Sequence, residues 1–246
     1  MTTASSGASM NIEAELAALR AHIDQQAVRI ERLEYDLGIL QDKDEIQRLQ
    51  YCYGFFIDNR MFREMADLFS NHGAWMEIGG RGRYEGKERI HEFLLHVLGN
   101  GRWGLLKDEV INHVQQQLMI TVDEDRQHAR ARSRAEVQGN SPPTTSTFLF
   151  ADGIYENLYV REDGHWKIQG ITVTMTYYAS LQRERVTFPT APPSAELPPD
   201  RSSQPIVEAL GRQFNPWHFK HPLAGYALPI PASDLNPYQP KAGSQG

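Results

Sequence analysis

From Ile12 onward, Ile12, Leu16, Leu19, Ile23, Ile30, Leu33, Leu37 and Leu40 fall on alternating steps of four and three, with Gln26 as the one polar member. A 3.5-residue repeat over about four heptads predicts a helix with an a/d seam: Leu16, Ile23, Ile30 and Leu37 at a, and Ile12, Leu19, Gln26, Leu33 and Leu40 at d. Such a seam needs a partner, either other copies of the chain or its own body; self-association is the favoured reading. Gln26 would help fix register, while mixed Ile and Leu at a leave dimer and trimer both open, with the trimer favoured. Residues 1–10, small and polar, are expected to be disordered.

The next stretch, Asp44 to Ser70, repeats Ile46, Leu49, Tyr53 and Phe56 at helical spacing. The pattern breaks at Asn59 and Arg60, and a short second helix is expected from about Met61. Ala74 to Ile78 reads as a strand, GGRGR as a hairpin turn, and Lys87 to Leu98 as a third body helix. From Glu109 the period changes to two. Glu109 to Val122, Gln127 to Gln138, Phe148 to Val160 and Trp166 to Tyr177 predict four long antiparallel strands. Helices first and strands afterwards indicate an α+β domain, a curved antiparallel sheet with helices on its inner face and the ligand pocket between them. The expected organisation is a heptad helix over 11–42, a domain over 43–182 and a tail over 183–246. Twelve of the fourteen prolines lie between Pro189 and Pro240, so the tail runs extended. Phe214, Trp217, His218, Phe219, Tyr226, Leu228 and Ile230 give it an apolar load suited to wrapping over its own domain or a neighbour's.

Composition narrows the function classes. The chain has 246 residues, 40% hydrophobic and 23% charged, ordinary for one globular domain with extensions. A net charge of −6 argues against a nucleic-acid partner. The basic strip Arg130, Arg132 and Arg134 reads as solvated or subunit-facing. Cys52 is the only cysteine, which excludes an intrachain disulfide and a cysteine zinc cage. No run approaches the ~18 apolar residues of a membrane span and the first residues lack a signal pattern, so a cytoplasmic location and no membrane partner are expected. His91 and His96 sit five apart, about 140° around an ideal helix, and are not expected to share a metal.

Tyr53 and Asp58 end the first body helix. They read either as a core tyrosine and a helix cap or as polar groups aimed into the pocket. His113 lies in the first of the four long predicted strands and reads either as a histidine hydrogen-bonded in the core or as an acid–base group, with Gln115 and Gln117 on its face by alternation. An imidazole titrates near neutral pH and can take and return a proton within one turnover. A carboxylate within reach would fix its tautomer, and phenols at Tyr53 and Tyr51 would donate to an oxygen gaining charge. That set serves elimination or enolisation. Phe55, Trp103, Phe150 and Tyr155 are candidate walls or substrate contacts beside Tyr51, Gln115 and Gln117.

The segments DEIQRLQYCYGFFIDNRMFREMADLFS, NHVQQQLMITVDEDRQHARARS and GIYENLYVREDGHWKI together resemble the SnoaL-like branch of the nuclear transport factor 2 (NTF2) superfamily, over about residues 43 to 180. The resemblance implies a cone-shaped α+β fold. Within it the chain is similar to the scytalone dehydratase and bile acid 7α-dehydratase families, whose Tyr, Asp and His match Tyr53, Asp58 and His113 and which use neither metal nor organic cofactor. A second aspartate of the bile acid enzymes falls at Val137. The resemblance implies a cofactor-independent lyase acting on a small hydrophobic aromatic alcohol, with loss of water. A similar superfamily activity, on lignin-derived diarylpropanes, also releases formaldehyde to give a stilbene. Alternatives are a ketosteroid-isomerase-like isomerase or polyketide cyclase, and a non-catalytic binding or assembly module.

Overall fold

The computed structural model describes residues 4–140, 142–144, 147–182, 205–214 and 216–239. The chain divides into two compact units, Met1–Asp44 and Glu45–Gly246. Helix α1 (Ala4–Asp58) runs through both the heptad stretch and the first part of the second unit. It starts earlier than the periodicity predicts, so residues 4–10 are helical, against the expected disorder. No proline interrupts α1, and once a helix is nucleated each added residue gains a hydrogen bond at small cost. Gly38 costs only about 1 kcal/mol relative to alanine in a helix interior.

In the second unit the end of α1 buries Ile46, Leu49, Tyr53 and Phe56, the stripe read from the sequence. Helix α2 (Phe62–Ala66) follows, then strands β1 (Trp75–Ile78) and β2 (Arg83–Glu85), with a turn of 3-10 helix at Gly79–Arg81. Helix α3 (Lys87–Glu92) widens into a π-helical turn at Phe93–Leu98. Four long strands complete the domain: β3 (Ile111–Val122), β4 (His128–Gly139), β5 (Thr147–Glu162) and β6 (His165–Gln182). The sheet order is β2-β1-β6-β5-β4-β3, antiparallel except for β1 beside β6. Bulges between Asp152 and Gly153 and between Leu158 and Tyr159 help the sheet to curve, because an extra residue bends its strand and sharpens the twist. The inner face of β4 carries only Ala129, Ala131, Ser133 and Ala135 over its buried stretch. Short side chains there let α1 lie close to the sheet without filling the space at its end.

The β5–β6 hairpin is clamped to the loop after α2 by Glu162. Its carboxylate accepts from Ser70 Oγ at 2.6 Å, Asn71 Nδ2 at 2.7 Å and Lys167 Nζ at 2.7 Å. Burial alone would raise its pKa, but these donors outweigh burial and bring it from 4.5 to about 2. A depressed carboxylate adds stability that is fully present above pH 4.5 and is lost as pH falls through 4.5 towards 2. Glu162→Gln is therefore expected to flatten the acid limb of stability in that window, read by urea unfolding at successive pH values. An unchanged slope would deny the clamp.

Within residues 205–239 the tail packs on its own domain. Trp217, Phe219, Leu223 and Leu228 lie against the main core, and Leu210 and Ala232 join Leu105 in a second small cluster. His221 is stacked between the rings of Phe56 and Tyr226. Its Nε2 donates to Glu64 O, and its Nδ1 accepts from the Leu223 and Ala224 amides. Both nitrogens are thereby committed to backbone. The rest of the expected tail, residues 183–204 and 240–246, lies outside the described residues. No helix among the described residues is long and apolar enough to cross a membrane.

Candidate active site

Asp58 is the last residue of α1 and His113 the third of β3. Their meeting depends on how closely the helix approaches the strand. Gly54 lies at the contact, where an added Cβ would stand 3.1 Å from Gln115 Cγ. Asp58 Oδ1 accepts from the His113 backbone N–H at 2.5 Å and lies 3.0 Å from His113 Nδ1. An ionised carboxylate at Nδ1 selects the tautomer with its proton there, leaving the Nε2 lone pair for a ligand. The two side chains are 20% and 11% exposed, so the pair is shielded without being sealed from water.

The imidazole lines two adjoining lobes of about 240 and 180 Å³. Ile57, Leu98, Ile111 and Leu149 are common to both, so the imidazole faces a mainly apolar chamber of two neighbouring lobes. Arg60 and Phe62 add to the larger lobe; Tyr53, Tyr155, Val137, Met175 and Tyr178 add to the smaller. Tyr53 and Tyr155 meet edge to face at 5.9 Å between centroids. Burial raises the Tyr53 pKa well above its ordinary value, with Tyr155 and Asp58 adding to the rise. Tyr155 is pushed up to about 12, mainly by burial. Both phenols therefore stay protonated at neutral pH and act as donors. Among the described residues the buried Tyr53 hydroxyl has no well-formed hydrogen bond, with Tyr155 its nearest polar neighbour.

Tyr53, His113 and Tyr155 line the smaller lobe, and Asp58 backs the imidazole. The other expected contacts are distributed differently. Gln115 accepts from Gln50 Nε2 at 2.8 Å, and Gln50 in turn accepts from Asn157 Nδ2 and Tyr159 Oη, each at 2.7 Å. This polar network supports the floor of the site and occupies Gln115. Gln117 is exposed in a β-bulge with φ of 52°, because the register shifts between Gln116 and Met119. The expected alternation of His113, Gln115 and Gln117 on one face fails at that bulge. Tyr51 and Phe55 are solvent-exposed and line, with Asp58, His113 and Gln115, an outer groove of about 330 Å³ between α1 and the edge strand β3. Trp103 is buried and donates to Glu64 Oε2, and Phe150 rests on Phe148; neither lines the two lobes.

Among the wall residues, Arg60 is a charged one that escapes sequence reasoning. Arg60, in a left-handed conformation with φ of 53°, reaches the larger lobe and pairs with buried Glu109 at 2.9 Å. Val137, where the resemblance places a second aspartate, is the cross-strand partner of His113. No carboxylate stands there, so the dyad is the acid–base unit this position offers. Cys52 is buried and its thiol pushed up to about 11, mainly by burial, which leaves no thiolate nucleophile. Among the described residues no group of three or more His, Cys, Asp or Glu could hold a metal ion.

A family model described as a SnoaL-like domain matches residues 39–172. Among solved structures, hexachlorocyclohexane dehydrochlorinase LinA-type3 from Novosphingobium barchaimii LL02 is 22% identical, with a TM-score of 0.53 over 63% of this chain and 99% of that one. The structure described as LinA is 20% identical, with a TM-score of 0.54 over the same shares of the two chains. These likenesses establish the fold. No curated protein matches the chain.

Proposed function

The chain belongs to the SnoaL-like domain family, and from that premise we propose that it is a cofactor-independent lyase removing water from a hydrophobic aromatic alcohol. The observation that carries this reading is the Asp58–His113 pair, 3.0 Å apart, with its imidazole on the wall of an apolar chamber. His113 Nε2 takes the proton whose loss starts the elimination, and Asp58 stabilises the resulting imidazolium. The leaving hydroxyl departs as water with a proton returned from that imidazolium. Tyr53 and Tyr155 donate to the oxygen on which negative charge builds. The dehydrochlorinase name of a relative on this scaffold supports elimination chemistry, although one fold hosts many reactions.

A 1,2-diarylpropane-1,3-diol with a para phenol is the substrate class that uses every part. Loss of the benzylic hydroxyl as water gives a quinone methide. Removal of the proton from the primary hydroxyl then breaks the carbon–carbon bond, releasing formaldehyde and leaving a stilbene. Diol goes to stilbene, water and formaldehyde with no oxidant or reductant. The test is to incubate the full chain with such diols and simpler phenolic benzylic alcohols, following stilbene or styrene absorbance and product mass. Water loss that needs the protein is expected. If folded protein removes water from none of them, the reading fails; a product of unchanged mass would favour the isomerase alternative, and binding without product a non-catalytic module.

A further inference from the structure

In the first unit the apolar seam of α1 is left uncovered by the other described residues. Ile12, Leu16, Leu19, Ile23, Ile30, Leu33, Leu37 and Leu40 are each 47–63% exposed in the single chain. A stripe of this length left in water is a mark of an interaction surface, and its heptad spacing specifies a helix as what covers it. We propose that residues 12–40 of α1 pair with the same segment of other copies of this chain as a parallel, in-register coiled coil.

The flanking charges decide between this and the alternatives. In a parallel pair each g residue faces the e residue five positions on in the neighbouring helix. Here that places Glu15 opposite Arg20 and Arg29 opposite Glu34, both attractive, while His22 meets Ala27 and Asp36 meets Gln41 without repulsion. Gln26 separates the orientations further. Parallel and in register, it meets Gln26 of the neighbour, and two amides satisfy each other. The antiparallel alignments that keep the seam in layers set it against Ile23 or Ile30 and bury its amide unpaired. A foreign helix would have to reproduce this charge order and a glutamine at one d position; a second copy supplies them by identity.

The experiment uses the full chain with Leu16→Cys, at an a position, and Ala18→Cys, on the outward face, in a mild thiol–disulfide buffer. The wild-type chain, whose one thiol, Cys52, is buried, is the blank. In the proposed arrangement Leu16→Cys forms a disulfide-linked dimer and Ala18→Cys does not, because only the first holds identical positions side by side. Antiparallel pairing would set the two positions roughly 25 Å or more apart at 1.5 Å per residue. Adding Ile23→Asp and Ile30→Asp is expected to abolish the Leu16→Cys link. A wild-type native mass of one chain, 28.0 kDa, overturns the proposal. So does a missing link at Leu16→Cys or an equal link at Ala18→Cys.

Discussion

Replacing His113 with alanine is expected to lower kcat on a dehydrated substrate by about 10²- to 10⁴-fold, the usual contribution of a positioned acid–base group. KM should move much less, since the imidazole is one side chain among many in the wall of the chamber. Asp58→Asn is the sharper companion. An amide keeps the size of the side chain, and its oxygen can still accept from the His113 backbone N–H, but it carries no charge to stabilise imidazolium. A large loss in kcat with unchanged unfolding behaviour would place the effect in chemistry. Steady-state kinetics beside urea unfolding of each variant makes the check; full activity in His113→Ala would remove the dyad from the reaction.

The second large effect is on stability. Glu109 is fully buried and bonds two guanidiniums: Arg60 Nε at 2.9 Å, and Arg102 at 2.9 and 3.0 Å. It also accepts from the Leu106 backbone N–H at 2.8 Å. Burial pulls the Arg60 pKa down and Glu109 pulls it back up, the balance of a cation that stays charged inside because its anion is there. Removing the charge of Glu109 leaves buried guanidiniums facing each other, a loss of roughly 3–5 kcal/mol for a broken buried pair. Against a total of about 5–15 kcal/mol for a domain, that is a large share. Glu109→Gln is expected to shift the urea midpoint far down. Because Arg60 forms part of the larger lobe, ligand binding should weaken with it. A midpoint within error of wild type would show that the cluster carries little of the stability.

Residues whose surroundings are repeated along the chain were legible in the sequence. Ile46, Leu49, Tyr53 and Phe56 report a helix face by their own spacing, and the long runs of period two report β3 to β6. The order of helices and strands then gives the α+β fold; that Tyr53, Asp58 and His113 would share one site is what the resemblance implied. What escapes depends on partners far along the chain or on local exceptions to a period. Glu109 reads as the start of a strand but serves as the counter-ion of Arg60, 49 positions away. Gln117 follows the alternation until a one-residue register shift turns it outward. Gln115 is polar at an inward position for Gln50 rather than for a ligand, and nothing local separates those uses. The widened turn at Phe93–Leu98 has no side-chain signature distinct from an ordinary helix.

The groove beside Tyr51 and Phe55 gives the Asp58–His113 pair a wet back as well as a dry front. A hydrogen taken from a substrate in the chamber therefore has a route to bulk water that does not pass the substrate. Deuterium carried in on the substrate can then reach the solvent through the groove as well as with the water that leaves.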